Sequence, residues 1–225
     1  FMVVDGRSAI SSGCTTLQLG DIMRYTGCTE AVNLDGGGSS CLYIKELGAR
    51  NVPSDGRERA DANGLFVVSP SPDDSQVAEI RFVDWKLDAP KYSVYTPQFY
   101  GYNKYGVLVN TDLKGVKLSC PDQIGHIKAD TTFFADGSGY GQLTASYNGA
   151  TATIPVVVAG SADALSMRCD SVINDCYRSY AVEVYSTVGE KTMVIDPAAL
   201  TWSSSDEGVV KIDANTGILK GVANG

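Results

Sequence analysis

Residues 31–44 read Ala31-Val32-Asn33-Leu34-Asp35-Gly36-Gly37-Gly38-Ser39-Ser40-Cys41-Leu42-Tyr43-Ile44. Two short apolar runs flank three consecutive glycines, so the stretch predicts a strand, a turn and a second strand. Glycine is costly in backbone entropy. Three in a row mean that the chain there adopts conformations, or approaches a neighbour, in ways that a Cβ forbids. An acid and two hydroxyls border this bare backbone. Freed peptide N–H groups, hydroxyl donors and one carboxylate together suit an anionic or polyhydroxylated ligand. The competing reading is a tight β-turn without chemistry, which Asp35 caps through a hydrogen bond to its own backbone.

On either side the pattern mixes helix and strand signals. Thr15-Thr16 predicts a helix start, Leu19, Ile22 and Met23 share one face, and Gly27 supplies the left-handed residue that ends it. Strands are expected around Ala31–Leu34, over Cys41–Ile44 and near Leu65–Val68. The loop Gly48–Asp61 carries Arg50, Asp55, Arg57, Glu58, Arg59 and Asp61, and it reads equally as a solvated surface loop or as a substrate-binding one. Residues 1–69 are therefore expected to form an α+β region.

Val3-Val4-Asp5-Gly6-Arg7 and Ser11-Ser12-Gly13-Cys14-Thr15-Thr16 precede the glycines. Pro53-Ser54-Asp55-Gly56-Arg57-Glu58-Arg59 follows them and leads into Asn63-Gly64-Leu65-Phe66-Val67-Val68. In this order and approximate spacing the blocks resemble the C-terminal half of the phosphodiester glycosidase family, of the uncovering-enzyme type, over roughly residues 1–69. The resemblance implies a hydrolase that cleaves the glycosidic bond of a sugar-1-phosphate diester, releasing the sugar and leaving a phosphomonoester. Its substrate would be a phosphorylated glycan or a sugar-phosphate diester.

Such a reaction stabilises an oxocarbenium-like sugar and an anionic leaving group, for which glycosidases commonly use two carboxyls. Phosphate needs less protonation than an alkoxide, so a base or an electrostatic stabiliser gains weight over an acid. Within the matching blocks the carboxylates are Asp35, Asp5 and Glu58, the catalytic candidates. Arg7 and Arg59 have planar forks suited to phosphate oxygens, and the amides of Gly36, Gly37 and Gly38 point to the same ligand. Asn33, Ser39 and Ser40 are expected in the same pocket. For Asp5-Gly6-Arg7 a strand-ending turn with a surface ion pair is the alternative. Arg57 matches nothing in the family pattern and reads as a loop residue. No cofactor is implied; a divalent cation such as calcium on Asp35, Asn33 and loop oxygens stays open, without EF-hand spacing.

The family domain begins well upstream of its Val-Asp-Gly-Arg block. Phe1-Met2-Val3-Val4 thus reads as a core strand entered midway, and part of the active site is expected before it. Were that half absent from the protein itself, the alternative is a non-catalytic glycan-binding or structural surface protein.

The rest of the 225 residues changes character. Ser69-Pro70-Ser71-Pro72-Asp73-Asp74-Ser75 predicts a linker over 70–76. Over 77–160 short β-rich runs alternate with turn residues, as at Ile80–Val83, Val107–Val109, Val116–Leu118, Gly141–Tyr147 and Ala152–Val158, which is the pattern of an immunoglobulin-like sandwich. The aromatics Tyr92, Tyr95, Phe99, Tyr100, Tyr102 and Tyr105 read more readily as core and corner than as a sugar-stacking platform. In residues 161–225, Leu200-Thr201-Trp202-Ser203-Ser204-Ser205-Asp206-Glu207, Asn215-Thr216-Gly217 and Ile218–Val222 resemble the bacterial immunoglobulin-like group 2 repeat, with its last strand missing and Trp202 expected in its core. That resemblance implies a bacterial, extracytoplasmic protein, periplasmic, surface-bound or secreted, and no catalysis by this part. The expected fold is an α+β fragment followed by two all-β immunoglobulin-like sandwich domains, the last incomplete.

Composition narrows the partners. A net charge of −8, with lysines and arginines scattered singly, argues against nucleic acid. No apolar run approaches the ~20 residues that span a bilayer. With a single histidine, His126, a zinc site on the six cysteines lacks its usual partners, and a Ser-His-Asp mechanism would have to use a residue far from every motif. A Cys169–Cys176 disulfide and free, buried thiols are both open.

Overall fold

The computed structural model describes residues 1–60, 63–170, 172–173 and 175–223. The chain divides into two units, Phe1–Ser71 and Pro72–Gly225. The break falls in the Pro-Ser-Pro run, where two residues lack the N–H that a ladder needs. A small α+β start precedes β-sandwich structure.

The first unit holds α1 (Thr16–Tyr25), β1 (Tyr43–Ile44) and β2 (Gly48–Ala49). A reciprocal box starts the helix: the Gln18 N–H donates to Thr15 Oγ1, and the Thr15 N–H donates to Gln18 Oε1 at 2.8 Å. Gly27, at φ 93°, takes the left-handed conformation beyond its end. β1 and β2 form an antiparallel hairpin with Tyr43 opposite Ala49. The segments expected as strands at Ala31–Leu34 and Leu65–Val68 carry no ladder. Val32, Leu34, Leu65, Phe66, Val67 and Val68 stay exposed. Apolar side chains make a strand only where a neighbour offers backbone donors and acceptors, and none of the described segments pairs with these. Among the described residues of this unit Gly38 alone is buried.

The second unit is built from β3 (Glu79–Phe82), β4 (Leu87–Pro90), β5 (Val94–Tyr95), β6 (Phe99–Tyr102), β7 (Leu108–Asn110), β8 (Lys117–Ser119), β9 (His126–Lys128), β10 (Thr132–Phe134), β11 (Gly139–Tyr147) and β12 (Ala150–Ala159). These pair as β4-β12-β11-β8, β3-β6-β7 and β5-β10-β9. β11 and β12 form a long hairpin through Asn148 and Gly149, both at positive φ, while β4 runs parallel to β12. Alternation sets the faces: Ile154, Val156 and Val158 point inward from β12, with Pro155 and Val157 between them turned outward. They share one core with Ile80, Leu87, Phe99, Phe133 and Leu143. Each such side chain contributes roughly 1.5–3 kcal/mol by burial. The aromatic stretch divides by the same rule. Phe99 enters the core, whereas Tyr100 and Tyr102 stand half-exposed on the outer face of β6, where the Arg81 guanidinium lies 4.5 Å from the Tyr102 ring centre.

Beyond β12 come β13 (Ala164–Arg168), β14 (Tyr180–Ala181), β15 (Glu183–Val188), β16 (Lys191–Val194), β17 (Val210–Ile212) and β18 (Ile218–Gly221), in the sheets β13-β15-β16 and β14-β18-β17. Trp202 is half-buried, its indole N–H donating to the Pro197 carbonyl at 2.9 Å. Gly217 stands at φ 64° under this ring, and an added Cβ would lie 2.5 Å from it, so the Asn-Thr-Gly turn needs glycine twice over.

This last part is tied to the strands before it. Met193 of β16 is buried in the same core as Leu87 and Phe133. Ile195 bridges Ser93, and the Asp196 N–H donates to the Tyr92 carbonyl at 2.9 Å. Lys128 pairs with Asp196 and lies 3.9 Å from the Phe134 ring centre. Burial pushes the Asp196 carboxyl up. The hydrogen bonds from Lys128 and the Ala198 N–H, with the charges of Lys128 and His126, outweigh it and leave the group below its ordinary value of 3.8. A carboxyl whose pKa is lower folded than unfolded stabilises above the unfolded value, and loses that contribution as pH falls through the folded one. Asp196→Asn is therefore expected to lower the stability of this unit by roughly 1–3 kcal/mol near pH 6. In urea titrations the difference from wild type should shrink as pH falls below the ordinary carboxylate range; a difference that stays constant across that range would show that the charge contributes nothing.

Candidate active site

The glycine turn is built by its serine. The Ser40 N–H donates to the Gly37 carbonyl at 3.2 Å, closing the turn, and the Gly37 N–H donates to Ser40 Oγ at 3.1 Å. Ser40 thus does the capping that the turn reading gave to Asp35. Among the described residues the Asp35 carboxylate accepts no hydrogen bond, and Asn33 and Asp35 stand exposed beside the glycines. None of the three glycines is at positive φ. Gly38 is buried because the Asp55 carboxylate occupies the place of its missing Cβ, and the Asp55 N–H donates to the Gly38 carbonyl at 3.1 Å. Gly37 has open space where a Cβ would stand, and Gly36 meets only Ser40 Oγ at 3.9 Å. Folding therefore explains Gly38, while Gly36 and Gly37 leave bare backbone facing outward. Of the three amides, Gly37's is committed to Ser40; those of Gly36 and Gly38 have no acceptor among the described residues.

The first block meets the third through Asp5. Its carboxylate accepts from the Val52 N–H at 3.0 and 3.2 Å and from Asn51 Nδ2 at 3.2 Å. Ser11 Oγ donates to the Asp5 carbonyl at 2.6 Å, and an added Cβ on Gly6 would sit 3.1 Å from the Gly13 Cα. The two parts of the upstream block are folded onto each other. Arg7 follows at φ 55° with an exposed side chain. In the downstream loop Arg59 pairs with the Asp55 that seats on Gly38, while Glu58 and Arg57 are exposed.

Asn51 was not among the residues the motifs suggested. Its Nδ2 donates to the Ser40 carbonyl at 2.9 Å as well as to Asp5, and its Oδ1 accepts the Leu42 N–H at 2.7 Å. One amide thus joins the Asp5 block, the end of the glycine turn and the loop that carries Asp55 and Arg59. The one signal for it in the sequence is an asparagine directly before Val52-Pro53, a place where a polar group that both donates and accepts can tie off a strand end. Ser39 is half-buried next to this junction.

Elsewhere the candidates thin out. All six cysteines are free, with Cys169 and Cys176 exposed. Among the described residues no three His, Cys, Asp or Glu side chains converge, and no helix is long and apolar enough to cross a membrane. A cleft of about 630 Å³ in the second unit is lined by Lys86, Asp88, Val157, Val188 and Lys191, none of them in a motif block.

The chain is 40% identical over 81 residues to the SPbeta prophage-derived uncharacterized protein YomE of Bacillus subtilis (strain 168), a match covering 36% of this chain and 12% of that protein. Among solved structures, domains 4–9 of the surface layer protein SbsC superpose with a TM-score of 0.35 at 12% identity, covering 66% of this chain and 27% of that one. Domains 5–6 of the S-layer protein SbsC give the same score and identity over 65% of this chain and 84% of theirs. The family model of phosphodiester glycosidase matches residues 1–68, a span that holds all three blocks joined through Asn51.

Proposed function

We propose that the first unit contributes to the active site of a hydrolase acting on sugar-1-phosphate diesters, with water adding its oxygen to the anomeric carbon and a proton to the departing phosphate oxygen. The observation that carries this reading is the exposed Asp35, unpaired among the described residues, beside Gly36 and Gly37, whose missing side chains the fold itself does not require. Bare backbone lets a ligand come close, free amides suit phosphate oxygens, and a carboxylate without a partner is available to the sugar. Asp35 is the first catalytic candidate, and Asp5 and Glu58 are the other carboxylates of the matching blocks. Arg7, Arg59, Asn33, Ser39, Ser40 and the Gly36–Gly38 backbone form the binding set. The family match over residues 1–68 supports a glycosidase.

Residues 77–160 and 161–225 act in this reading as immunoglobulin-like spacers, on a bacterial protein that works outside the cytoplasm. Their outward Tyr100 and Tyr102 favour a second reading, a glycan-binding surface protein without catalysis, since exposed aromatic rings pack well on sugar faces.

The test is hydrolysis of α- and β-linked sugar-1-phosphate diesters by the full-length protein in ¹⁸O-water, followed by phosphorus NMR and mass spectrometry. Label in the released sugar is the expected result. Label in the phosphate, or no turnover of any diester, would remove the glycosidase reading.

A further inference from the structure

We infer that Asp5 and Asn51 are a positioning pair that holds the glycine turn against the 51–59 loop, so that Asp5 moves no proton and the chemistry falls to Asp35 and Glu58. The inference rests on the glycosidase reading and refines it. Asp5 is half-buried, and its two oxygens face the Val52 N–H and the Asn51 amide. A backbone N–H is a fixed donor, neither ionising nor turning away, so an oxygen held by it is a poor seat for a travelling proton. Asp35 has the opposite surroundings, exposed and, among the described residues, without a partner.

Asparagine suits its position because one planar group must donate twice and accept once. Its Nδ2 faces two acceptors, Asp5 Oδ1 at 3.2 Å and the Ser40 carbonyl at 2.9 Å, while its Oδ1 faces the Leu42 N–H at 2.7 Å. These partners fix which end of the amide carries nitrogen. An aspartate here would set one carboxylate against another and lose both donors. A leucine would leave a carboxylate oxygen, a carbonyl and an N–H without their partner. Through this amide the placement of Asp5 sets where Ser40, the serine that closes the glycine turn, stands relative to the loop bearing Arg59.

The pair is tested in the full-length protein by kinetics on a sugar-1-phosphate diester and by amide hydrogen exchange over residues 36–42 and 52. Asp5→Asn keeps an oxygen at the shared acceptor position, so it should lower kcat by less than about tenfold, leave the pH profile in place and keep exchange slow, because a hydrogen bond is retained while only charge is lost. Asn51→Ala and Asp5→Ala should each lower kcat about a hundredfold and speed exchange at Leu42 and Val52, since several partners are orphaned together. Asn51→Asp should recover part of its activity as pH falls and one carboxyl regains a proton to donate.

A fall of 10²–10⁴-fold for Asp5→Asn with slow exchange intact would make Asp5 a proton-transfer group and overturn the assignment. Unchanged exchange in Asn51→Ala would overturn it as well. Should wild type turn over no diester, the glycosidase reading fails, and the exchange measurements still decide whether the pair holds the turn.

Discussion

Replacing Asp35 by asparagine is expected to lower hydrolysis of a sugar-1-phosphate diester by about 10²–10⁴-fold, the range that a proton-transferring or charge-stabilising carboxylate supplies. The amide keeps the size of the side chain and removes only its charge. Because Asp35 accepts no hydrogen bond among the described residues, the turn loses nothing on substitution; Ser40 closes and caps it from the other end. Folding and activity thus separate at this position, which most candidate carboxylates do not allow. The measurement is kcat on the labelled diester beside a circular dichroism melt. A well-folded Asp35→Asn that turns over like wild type would make Asp35 an exposed acid at the edge of a turn.

The largest effect on stability is expected from Phe133→Ala in β10. Phe133 is wholly buried, it belongs to the same core as Leu87, Leu143 and Val156, and its ring limits Gly125, where an added Cβ would lie 2.8 Å away. Truncation removes an aromatic payload and leaves a cavity, at a cost of roughly 3–5 kcal/mol. For a unit of this size that is a fall in melting temperature of roughly 6–20 °C. The loss should appear in the transition of the second unit. A fall under about 1 kcal/mol would mean that the surrounding strands collapse into the space, a behaviour the close-packed β11–β12 hairpin argues against.

The sandwich was legible because alternation is a local signal. Ile154, Val156 and Val158 announce both a strand and its inward face, and β12 forms where the pattern lies. The helix was legible because its signals are local: a threonine at its start, Leu19, Ile22 and Met23 on one face, and Gly27 at its end. Ala31–Leu34 and Leu65–Val68 carry the same kind of apolar run and pair with nothing among the described residues, since composition says that a segment suits a sheet and leaves open which neighbour completes it. At the candidate site the motif blocks named candidates in separate stretches, and the connection between those stretches lay beyond sequence reach. Asn51 meets Asp5 across 46 positions, and no periodicity encodes that meeting. The glycine run was readable only as a demand for missing side chains. Coordinates were needed to divide that demand between Gly38, which yields to Asp55, and Gly36 and Gly37, which yield to nothing in the fold.

The parallel pairing of β4 with β12 has a mechanical side. Leu87, Asp88, Ala89 and Pro90 stand in register with Val156, Val157, Val158 and Ala159. Tension entering before Leu87 and leaving after Ala159 pulls these neighbours in opposite directions along their length. Their cross-links then bear the load together, in shear, where an antiparallel hairpin gripped at its open end would peel one link at a time. With Pro90 contributing no donor, the last register position adds least to the row, and the force at which the sandwich gives way should track the bonds at the other three.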